Sequence, residues 1–252
     1  MNDKIIEELS LNNWQPLSTL LYDGWILRFA KGYTIYANSI SPIYESTNNV
    51  NQKIKECEKI YATNGLSPAY KITPFVKPEN LDAILAEKGY SMVDFNGNPY
   101  ISVQTMELEG IIEPTLHSVR IDEKVNDEWL THVCRLNDGE EKYKDTMVQM
   151  LSNIVTKKCL LSLYHNEDVV ACGLGVIERE YIGLYNIVTD SRFRNQGFGL
   201  QLLLNLLKWG KENGAKHSYL TVLLNNEPAL KLYNNIGFSE VYRYWYRVKE
   251  NV

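Results

Sequence analysis

The chain has 252 residues, enough for one large domain or two domains of modest size. Hydrophobic residues make up 44% and charged residues 23%, a composition typical of a globular protein. The formal net charge is −5 and no block of Lys or Arg stands out, which argues against a nucleic-acid partner. No apolar run approaches the about 20 residues that a membrane-spanning helix needs, so we expect no membrane association.

The N-terminus and the cysteines bear on the compartment. Residues 1–8 are too acidic for a secretory signal peptide. The cysteines are scattered and form no Cys-x-x-Cys pair, so we expect reduced, packed thiols and a cytoplasmic protein. They are Cys57, Cys134, Cys159 and Cys172. The histidines are dispersed as well, and we expect no metal site.

The first half of the chain reads as a mixture of strand and helix. Two strand-like segments, 24–30 and 33–37, flank a turn at Lys31 and Gly32. Apolar spacing predicts helices over 51–61 and 78–88, and Gly89 ends the second.

A connector-like stretch at 108–114 leads into the second half. The patterns that follow predict a short strand, two helices, and then two strands joined by a polar turn. These segments are 118–121, 127–136, 140–155, 159–164 and 169–177.

The run Arg194–Gly199 is the first motif that points to chemistry. A strand at 181–188 precedes it, and an apolar helix over about 199–209 follows. Glycines between a strand and a helix let the backbone approach a ligand, and the helix start offers unpaired N–H groups with the positive end of a dipole. The context therefore predicts a pyrophosphate site.

A second motif lies on the next strand and helix. The strand at 217–224 leads into Asn225 and Asn226, which suit a helix cap, with Pro228 in the first turn and Gly237 at the end. Together the two motifs make residues from about 115 to 250 resemble a GNAT-family N-acetyltransferase. The first matches that family's acyl-CoA pyrophosphate loop. The second matches its Asn-x-x-Ala-x-x-Leu-Tyr-x-x-x-Gly-Phe pattern over 226–238.

The resemblance implies an α+β chain of the three-layer sandwich type, with the acyl-CoA N-acyltransferase fold in the C-terminal half. It also implies acetyl-CoA as cofactor. The pyrophosphate would bind the loop, chiefly through backbone N–H groups, and the pantetheine arm would bind the end of the preceding strand. The cofactor-binding residues implied are Ile187, Val188, Arg194, Gln196, Gly197, Phe198, Gly199 and Asn226.

In this family the amine attacks the thioester directly, so one group must protonate the departing thiolate. The resemblance assigns this role to Tyr233. A phenol has a reference pKa near 10 and a thiol one near 8.5, so the phenol is protonated at neutral pH and can donate to sulfur. A strand bulge near Ile187 and Val188 would free an N–H to polarise the thioester carbonyl.

The general base is left open by the sequence. Many relatives carry a Glu in the strand before the loop, where this chain has Gly183, Leu184 and Tyr185. Others carry one on the next strand, where this chain has Thr221. Ordered water, Glu178 and Glu180 remain candidates, with the two glutamates read first as solvent-facing hairpin residues.

The N-terminal half contains an echo of the second motif, since 84–90 parallels 232–238. In this alignment Leu85 stands where Tyr233 stands, and no glycine-rich loop precedes the helix at 51–61. The echo predicts a degenerate copy of the same fold over 1–112, followed by a catalytic domain over 113–252. The degenerate half would shape the substrate pocket or cover a sheet edge rather than bind acyl-CoA.

Three functions follow from the resemblance. The first is acetyl-CoA-dependent acetylation of a primary amine on a small molecule such as an amino acid, a polyamine or an aminoglycoside-like compound. The second is acetylation of a protein or peptide, and the third is a non-catalytic acyl-CoA-binding module. The expected oligomeric state is a monomer or a homodimer.

Overall fold

A computed structural model describes residues 3–116, 118–137 and 140–249. Within these ranges the helices are α1 (Lys4–Asn13), α2 (Val50–Thr63), α3 (Leu81–Glu87), α4 (Asp127–Leu136), α5 (Lys144–Ser152), α6 (Phe198–Glu212) and α7 (Glu227–Ile236). The strands are β1 (Ser18–Tyr22), β2 (Trp25–Phe29), β3 (Ile40–Ser41), β4 (Ala69–Ile72), β5 (Ser91–Met92), β6 (Ile101–Glu107), β7 (Val119–Asp122), β8 (Lys157–His165), β9 (Asp168–Glu178), β10 (Tyr181–Thr189), β11 (His217–Leu223) and β12 (Ser239–Val248). No helix in the described ranges has the length and apolar character needed to cross a bilayer.

The chain folds into two compact units that interleave along the sequence. The larger unit comprises the described residues of Met1–Gln15, Gln104–Thr221 and Glu227–Glu240. The smaller unit comprises those of Pro16–Val103, Val222–Asn226 and Val241–Val252. The domain boundary between residues 112 and 113 stays a prediction. The sequence did not indicate that each unit would contain segments from both halves of the chain.

The larger unit is built on a mixed sheet. Strands β7, β8, β9 and β10 pair antiparallel in that order, and β11 pairs parallel to β10. The part of β6 from Gln104 onward lies on the other side of β11. Helices pack on this sheet, which confirms the α+β class predicted from the sequence.

Helix α6 supplies the apolar layer on one face of this sheet. Leu203, Leu206 and Leu207 are fully buried. The helix comes so close to β9 that a Cβ built on Gly173 would lie 2.8 Å from Cδ1 of Leu206. The helix predicted over about 199–209 is thus present and extends to Glu212.

The smaller unit has its own sheet and core. Its strands follow the order β1, β2, β3, β4, β12, and β5 pairs with β12. Helices α2 and α3 contribute to a core with strand residues that include Trp25, Tyr70 and Ile72. The helices predicted over 51–61 and 78–88 are confirmed as α2 and α3, with the second starting three residues later.

The strand predicted over 33–37 is wrong. Residues Ile35–Ala37 form a 3₁₀ turn instead, and the next strand is β3. The cause is Asn38, whose Oδ1 accepts from the N–H groups of Ala30 and Gly32 while its Nδ2 donates to the carbonyls of Tyr33 and Thr34. One buried amide satisfies four backbone groups and closes a loop where the pattern favoured a strand.

The helix predicted over 140–155 is broken. A 3₁₀ turn over Glu140–Tyr143 comes first, and α5 follows it. Nζ of Lys144, at the start of α5, lies 2.8 Å from Oδ1 of Asp127 and donates to Thr131. These two contacts join the start of α5 to α4.

The two echoed segments share one hydrogen-bond pattern, each inside its own unit. After α3 the N–H of Gly89 donates to Ala86 and that of Tyr90 donates to Leu85; after α7 the corresponding donors, Gly237 and Phe238, bond to Asn234 and Tyr233. Both glycines have positive φ, 81° and 109°. The similarity of 84–90 to 232–238 therefore includes the backbone hydrogen bonds and the conformation of the glycine. That the N-terminal half is a degenerate copy of the same fold stays a prediction.

The packing of α6 yields a test of the core. We expect Leu206→Ala to lower the free energy of unfolding by about 2–5 kcal/mol, because it leaves a cavity against β9. The matched control is Leu21→Ala on β1, where the side chain is 67% exposed and the expected loss is below about 0.5 kcal/mol. Urea unfolding followed by circular dichroism measures both, and equal losses would contradict this account of the core.

Candidate functional site

The segment after β10 forms a turn that ends at the N-terminus of α6. A 3₁₀ turn, Ser191–Phe193, follows the strand, and Gly197 sits in the N-cap position with φ of 86°. A Cβ built on Gly197 would meet no described atom within 4 Å. No side chain caps the helix. Its first N–H groups therefore have neither a carbonyl partner within the helix nor a side-chain cap.

A buried carboxylate braces this turn. Asp190 accepts from the Arg192 backbone N–H and side chain, and from Nη1 of Arg135 at 3.2 Å. The hydrogen bonds and the charge of Arg192, with a further hydrogen bond from Arg135, hold the pKa of Asp190 well below its usual value. Arg135 also donates to the Val169 carbonyl at 2.8 Å. Arg192 thus helps to fix the loop.

Aromatic contacts fix the first residue of α6. Phe198 is buried, and its ring packs 5.0 Å from His165 and 5.9 Å from Phe193, centroid to centroid. One residue on, a Cβ built on Gly199 would lie 3.2 Å from Oγ1 of Thr189 and 3.6 Å from Cδ2 of Leu232. The end of β10, the start of α6 and the middle of α7 therefore meet at Gly199.

Strand β10 separates from β11 before it reaches the loop. The pairing of the two strands ends at Gly183 and Tyr219, and β10 continues without this partner strand to Thr189. On the other side, the ladder to β9 shifts register between Tyr185 and Val188, with Asn186 at φ of 49°. The bulge and the splay expected here are both present. Backbone groups of β10 beyond Gly183 are thus left without a partner strand on the β11 side.

The other residues predicted to bind the cofactor lie in the bulge, in the turn after β10 and before α7. Ile187 and Val188 lie in and just after the bulge, and Arg194 and Gln196 are exposed in the turn. Asn226 is exposed directly before α7 and belongs to the smaller unit. Its backbone N–H donates to the Leu223 carbonyl at 3.0 Å. The ligand-binding roles of all these residues stay predictions.

Tyr233 lies on the buried side of α7. Its side chain is 7% exposed, and its ring packs edge-on against Phe238 at 5.9 Å. Burial raises the pKa of Tyr233 to about 12. Its neighbour Leu232 contacts the start of α6 at Gly199, so the loop and Tyr233 belong to one region of the larger unit.

The two candidate glutamates differ in environment. Glu180 faces solvent in the hairpin and pairs with Lys216 at 2.6 Å. The side chain of Glu178 is only 15% exposed, and its Oε1 accepts from Asn12 at 3.0 Å. The solvent-facing interpretation thus fits Glu180 and is wrong for Glu178. Within the described residues no cluster of three or more His, Cys, Asp or Glu could hold a metal ion.

Sequence reasoning missed a buried polar cluster on the larger unit. Asn13, at the end of α1, donates to the hydroxyl of Tyr219 at 3.0 Å, and that hydroxyl lies 2.7 Å from the hydroxyl of Tyr185. Trp14 stacks on Tyr185 at 5.8 Å. The signal available was Gly183 in a strand of large residues, since glycine there marks a close approach.

The chain is similar to several known proteins along most of its length. Residues 4–247 match the family described as "Probable histone acetyltransferase Rv0428c C-terminal". The uncharacterized N-acetyltransferase YobR of Bacillus subtilis is 28% identical over 97% of both chains. The [ribosomal protein bS18]-alanine N-acetyltransferase of Haemophilus ducreyi is 26% identical over 36% of this chain and 63% of its own length.

Among solved structures, a GCN5-related N-acetyltransferase from Kribbella flavida covers 97% of this chain and 95% of its own, with a TM-score of 0.70 and 13% identity. This likeness confirms the acyl-CoA N-acyltransferase fold expected from the two motifs. The family match spans nearly the whole chain, and the relatives are N-acetyltransferases. The chain therefore belongs to the family of the Rv0428c C-terminal region and is a GNAT-type N-acetyltransferase.

Proposed function

We propose that this protein transfers the acetyl group of acetyl-CoA to the primary amine of a small molecule by direct attack of the amine on the thioester. The observation that carries the proposal is the open edge of β10 beyond Gly183, which leads to the uncapped start of α6. An extended ligand with amide groups and a terminal pyrophosphate suits such a surface. The pantetheine amides would pair with β10 as an added strand, and the pyrophosphate would bind at α6.

The loop geometry supports the pyrophosphate site. The N–H groups of Gln196, Gly197, Phe198 and Gly199 lie at or near the helix start, where the dipole favours an anion. Gly197 leaves the approach open because it has no side chain and adopts a positive φ. Arg194 adds an exposed positive charge beside the loop.

The bulge supports a role in polarising the thioester. A residue in a bulge has backbone groups outside the regular ladder, and here Asn186 and Ile187 together oppose one residue of β9. An N–H from this segment, directed at the carbonyl oxygen, would stabilise the oxyanion that forms when the amine attacks.

Tyr233 would protonate the departing thiolate. Because burial raises its pKa to about 12, the hydroxyl is protonated at neutral pH. No hydrogen bond from a described residue contributes to this pKa, so the hydroxyl is available to sulfur. Asn226, directly before the same helix, would hold the pantetheine arm.

The packing of Trp14 on β10 beside the bulge supports a small acceptor. Trp14 stacks on Tyr185 with an interplanar angle of 14°, so the chain's own N-terminal segment occupies this face of β10. A peptide acceptor needs open surface along which to lie extended, whereas a compact amine does not.

The described residues of the smaller unit contain no counterpart of the glycine-rich loop at 194–199. We propose that this unit is a degenerate copy without a cofactor site.

Acetyl-CoA titration and an acceptor panel test the proposal. We expect calorimetry to give saturable binding at one site per chain. The panel is lysine, spermidine, kanamycin and a peptide with an N-terminal alanine, each assayed by release of free thiol with a no-amine control. The proposal predicts turnover of at least one free amine above the peptide. Preference for the peptide would favour the protein acetyltransferase alternative, and saturable binding without turnover would favour a non-catalytic acyl-CoA-binding module. The absence of acetyl-CoA binding would contradict all three functions.

Tyr233→Phe tests the proton donor. We expect kcat to fall by about 10²-fold or more, the usual range for a general acid, while the Kd for acetyl-CoA changes less than about twofold. The ring and its packing on Phe238 are retained, so folding should be unaffected. A kcat equal to that of the wild type would remove Tyr233 from the mechanism.

Gly197→Asp tests the pyrophosphate site, with Gly214→Asp as the matched control. The two glycines sit at opposite ends of α6, both with positive φ and both without a described atom near the added Cβ. We expect a similar loss of stability, about 1–2 kcal/mol, because both force an L-residue into the left-handed region. Only Gly197→Asp should abolish acetyl-CoA binding in calorimetry. Equal affinities in the two variants would show that the pyrophosphate binds elsewhere.

A further inference from the structure

The turn before α6 is tied to helix α4 by one long side chain. Arg135, in the last turn of α4, donates from Nη1 to Oδ2 of Asp190 at 3.2 Å and from Nη2 to the carbonyl of Val169 at 2.8 Å. Its guanidinium therefore bridges the start of β9 and the residue that follows β10. A planar fork of donors suits two acceptors at once, which an ammonium group does not reproduce.

A second arginine holds Asp190 from within the turn. Arg192 donates from Nε to Oδ1 at 3.1 Å and from Nη2 to Oδ2 at 2.7 Å. The carbonyl of Arg192 accepts in turn from Nε2 of Gln196 at 3.2 Å. Continuous contacts therefore run from α4 through Asp190 and Arg192 to Gln196, the residue directly before Gly197 at the N-terminus of α6.

The two arginines constrain the turn in different ways. The contact between Arg192 and Asp190 spans two positions, so it shapes the turn without placing it against the rest of the unit. Arg135 is carried by α4, whose Val133 and Cys134 are buried in the core. The backbone N–H of Asp190 is fixed separately by the carbonyl of Val170 at 2.9 Å. Arg135 thus fixes the side chain of Asp190 to a helix that lies far away in sequence.

The charge of this group also needs an explanation. The side chain of Asp190 is only 7% exposed, and a carboxylate close to the pyrophosphate loop would by itself repel a pyrophosphate. The two arginines reverse the sign and leave the group with one net positive charge. The group could therefore assist an anion by fixing the turn or by attracting the anion, and the two effects predict opposite results for the loss of the carboxylate charge.

Resting on the function proposed above, we propose that Arg135 is a positioning residue for the pyrophosphate of acetyl-CoA. It acts through Asp190, which holds the turn so that the N–H groups at the start of α6 converge on the ligand. Its two hydrogen bonds go to protein oxygens, so the role is geometric and requires no contact with the cofactor. The loop that binds the cofactor is therefore completed by a helix that precedes it by more than fifty positions.

Arg135→Ala tests the positioning role. We expect the Kd for acetyl-CoA, measured by calorimetry, to rise about tenfold, because the N–H groups of the loop no longer converge. With the best acceptor from the panel above, kcat at saturating acetyl-CoA should stay within about twofold, since Tyr233 and the bulge are unchanged. Arg135→Lys should keep part of the affinity, because one ammonium replaces the fork only in part.

Asp190→Asn separates geometry from charge. Under the positioning role acetyl-CoA affinity falls, because a carboxamide has one oxygen where the carboxylate accepts through two. Under simple attraction affinity would rise, because the group gains positive charge. Arg135→Ala combined with Asp190→Asn restores the original net charge without restoring the bridge. We expect this double variant to bind no more tightly than Arg135→Ala, with a loss that is equal at low and high ionic strength.

Arg120→Ala is the matched control. Arg120 lies on β7 and pairs with Glu128 in the first turn of α4, and its side chain is 47% exposed against 43% for Arg135. The control therefore removes an arginine of similar exposure from the opposite end of the same helix. Its Kd for acetyl-CoA and its kcat should equal those of the wild type. S-acetylpantetheine, which lacks the pyrophosphate, should react equally well with the wild type and with Arg135→Ala.

The outcomes separate this role from the proposed function. An unchanged Kd in Arg135→Ala, or tighter binding in Asp190→Asn, would overturn the positioning role and leave the proposed function standing. Equal losses with acetyl-CoA and S-acetylpantetheine would overturn it as well, because they would indicate a general loss of structure. A wild-type protein that neither binds acetyl-CoA nor acetylates an amine would overturn both.

Discussion

The end of pairing between β10 and β11 after Gly183 is the constraint on which the rest of the larger unit's site depends. Parallel strands normally satisfy each other's backbone groups along their full length, and a strand that leaves its neighbour gives up those hydrogen bonds. This separation is retained because other contacts fix both sides of it. Gly199 packs against Thr189 and Leu232, and Asp190 braces the turn after the strand. The opening is therefore a fixed part of the fold.

Much of this arrangement was predictable from local sequence. The leucines of α6 repeat at helical spacing, and the glycines before them indicate a turn between the strand and the helix. The cap positions of α7 follow equally from Asn226, Pro228 and Gly237. These features depend on neighbours within a few residues, so periodicity and cap chemistry suffice to find them.

Other parts depend on contacts between segments far apart in sequence. Asn38 closes its loop through four backbone groups that the alternating pattern of 33–37 does not reveal. Asn13 meets Tyr219 across more than two hundred positions, and nothing near either residue indicates that they touch. The exposure of Glu178 was misjudged for the same reason, because α1 covers it with Asn12.

Tyr219 and Tyr233 show how burial can give two phenols different tasks. Burial raises the pKa of both, so both are neutral at physiological pH. The Tyr219 hydroxyl accepts from Nδ2 of Asn13 and shares a second hydrogen bond with the hydroxyl of Tyr185. The ring of Tyr233 packs against Phe238, and a proton that its hydroxyl gives away must be restored. The first arrangement holds α1, β10 and β11 together. The second suits the donation to the departing thiolate that is proposed above.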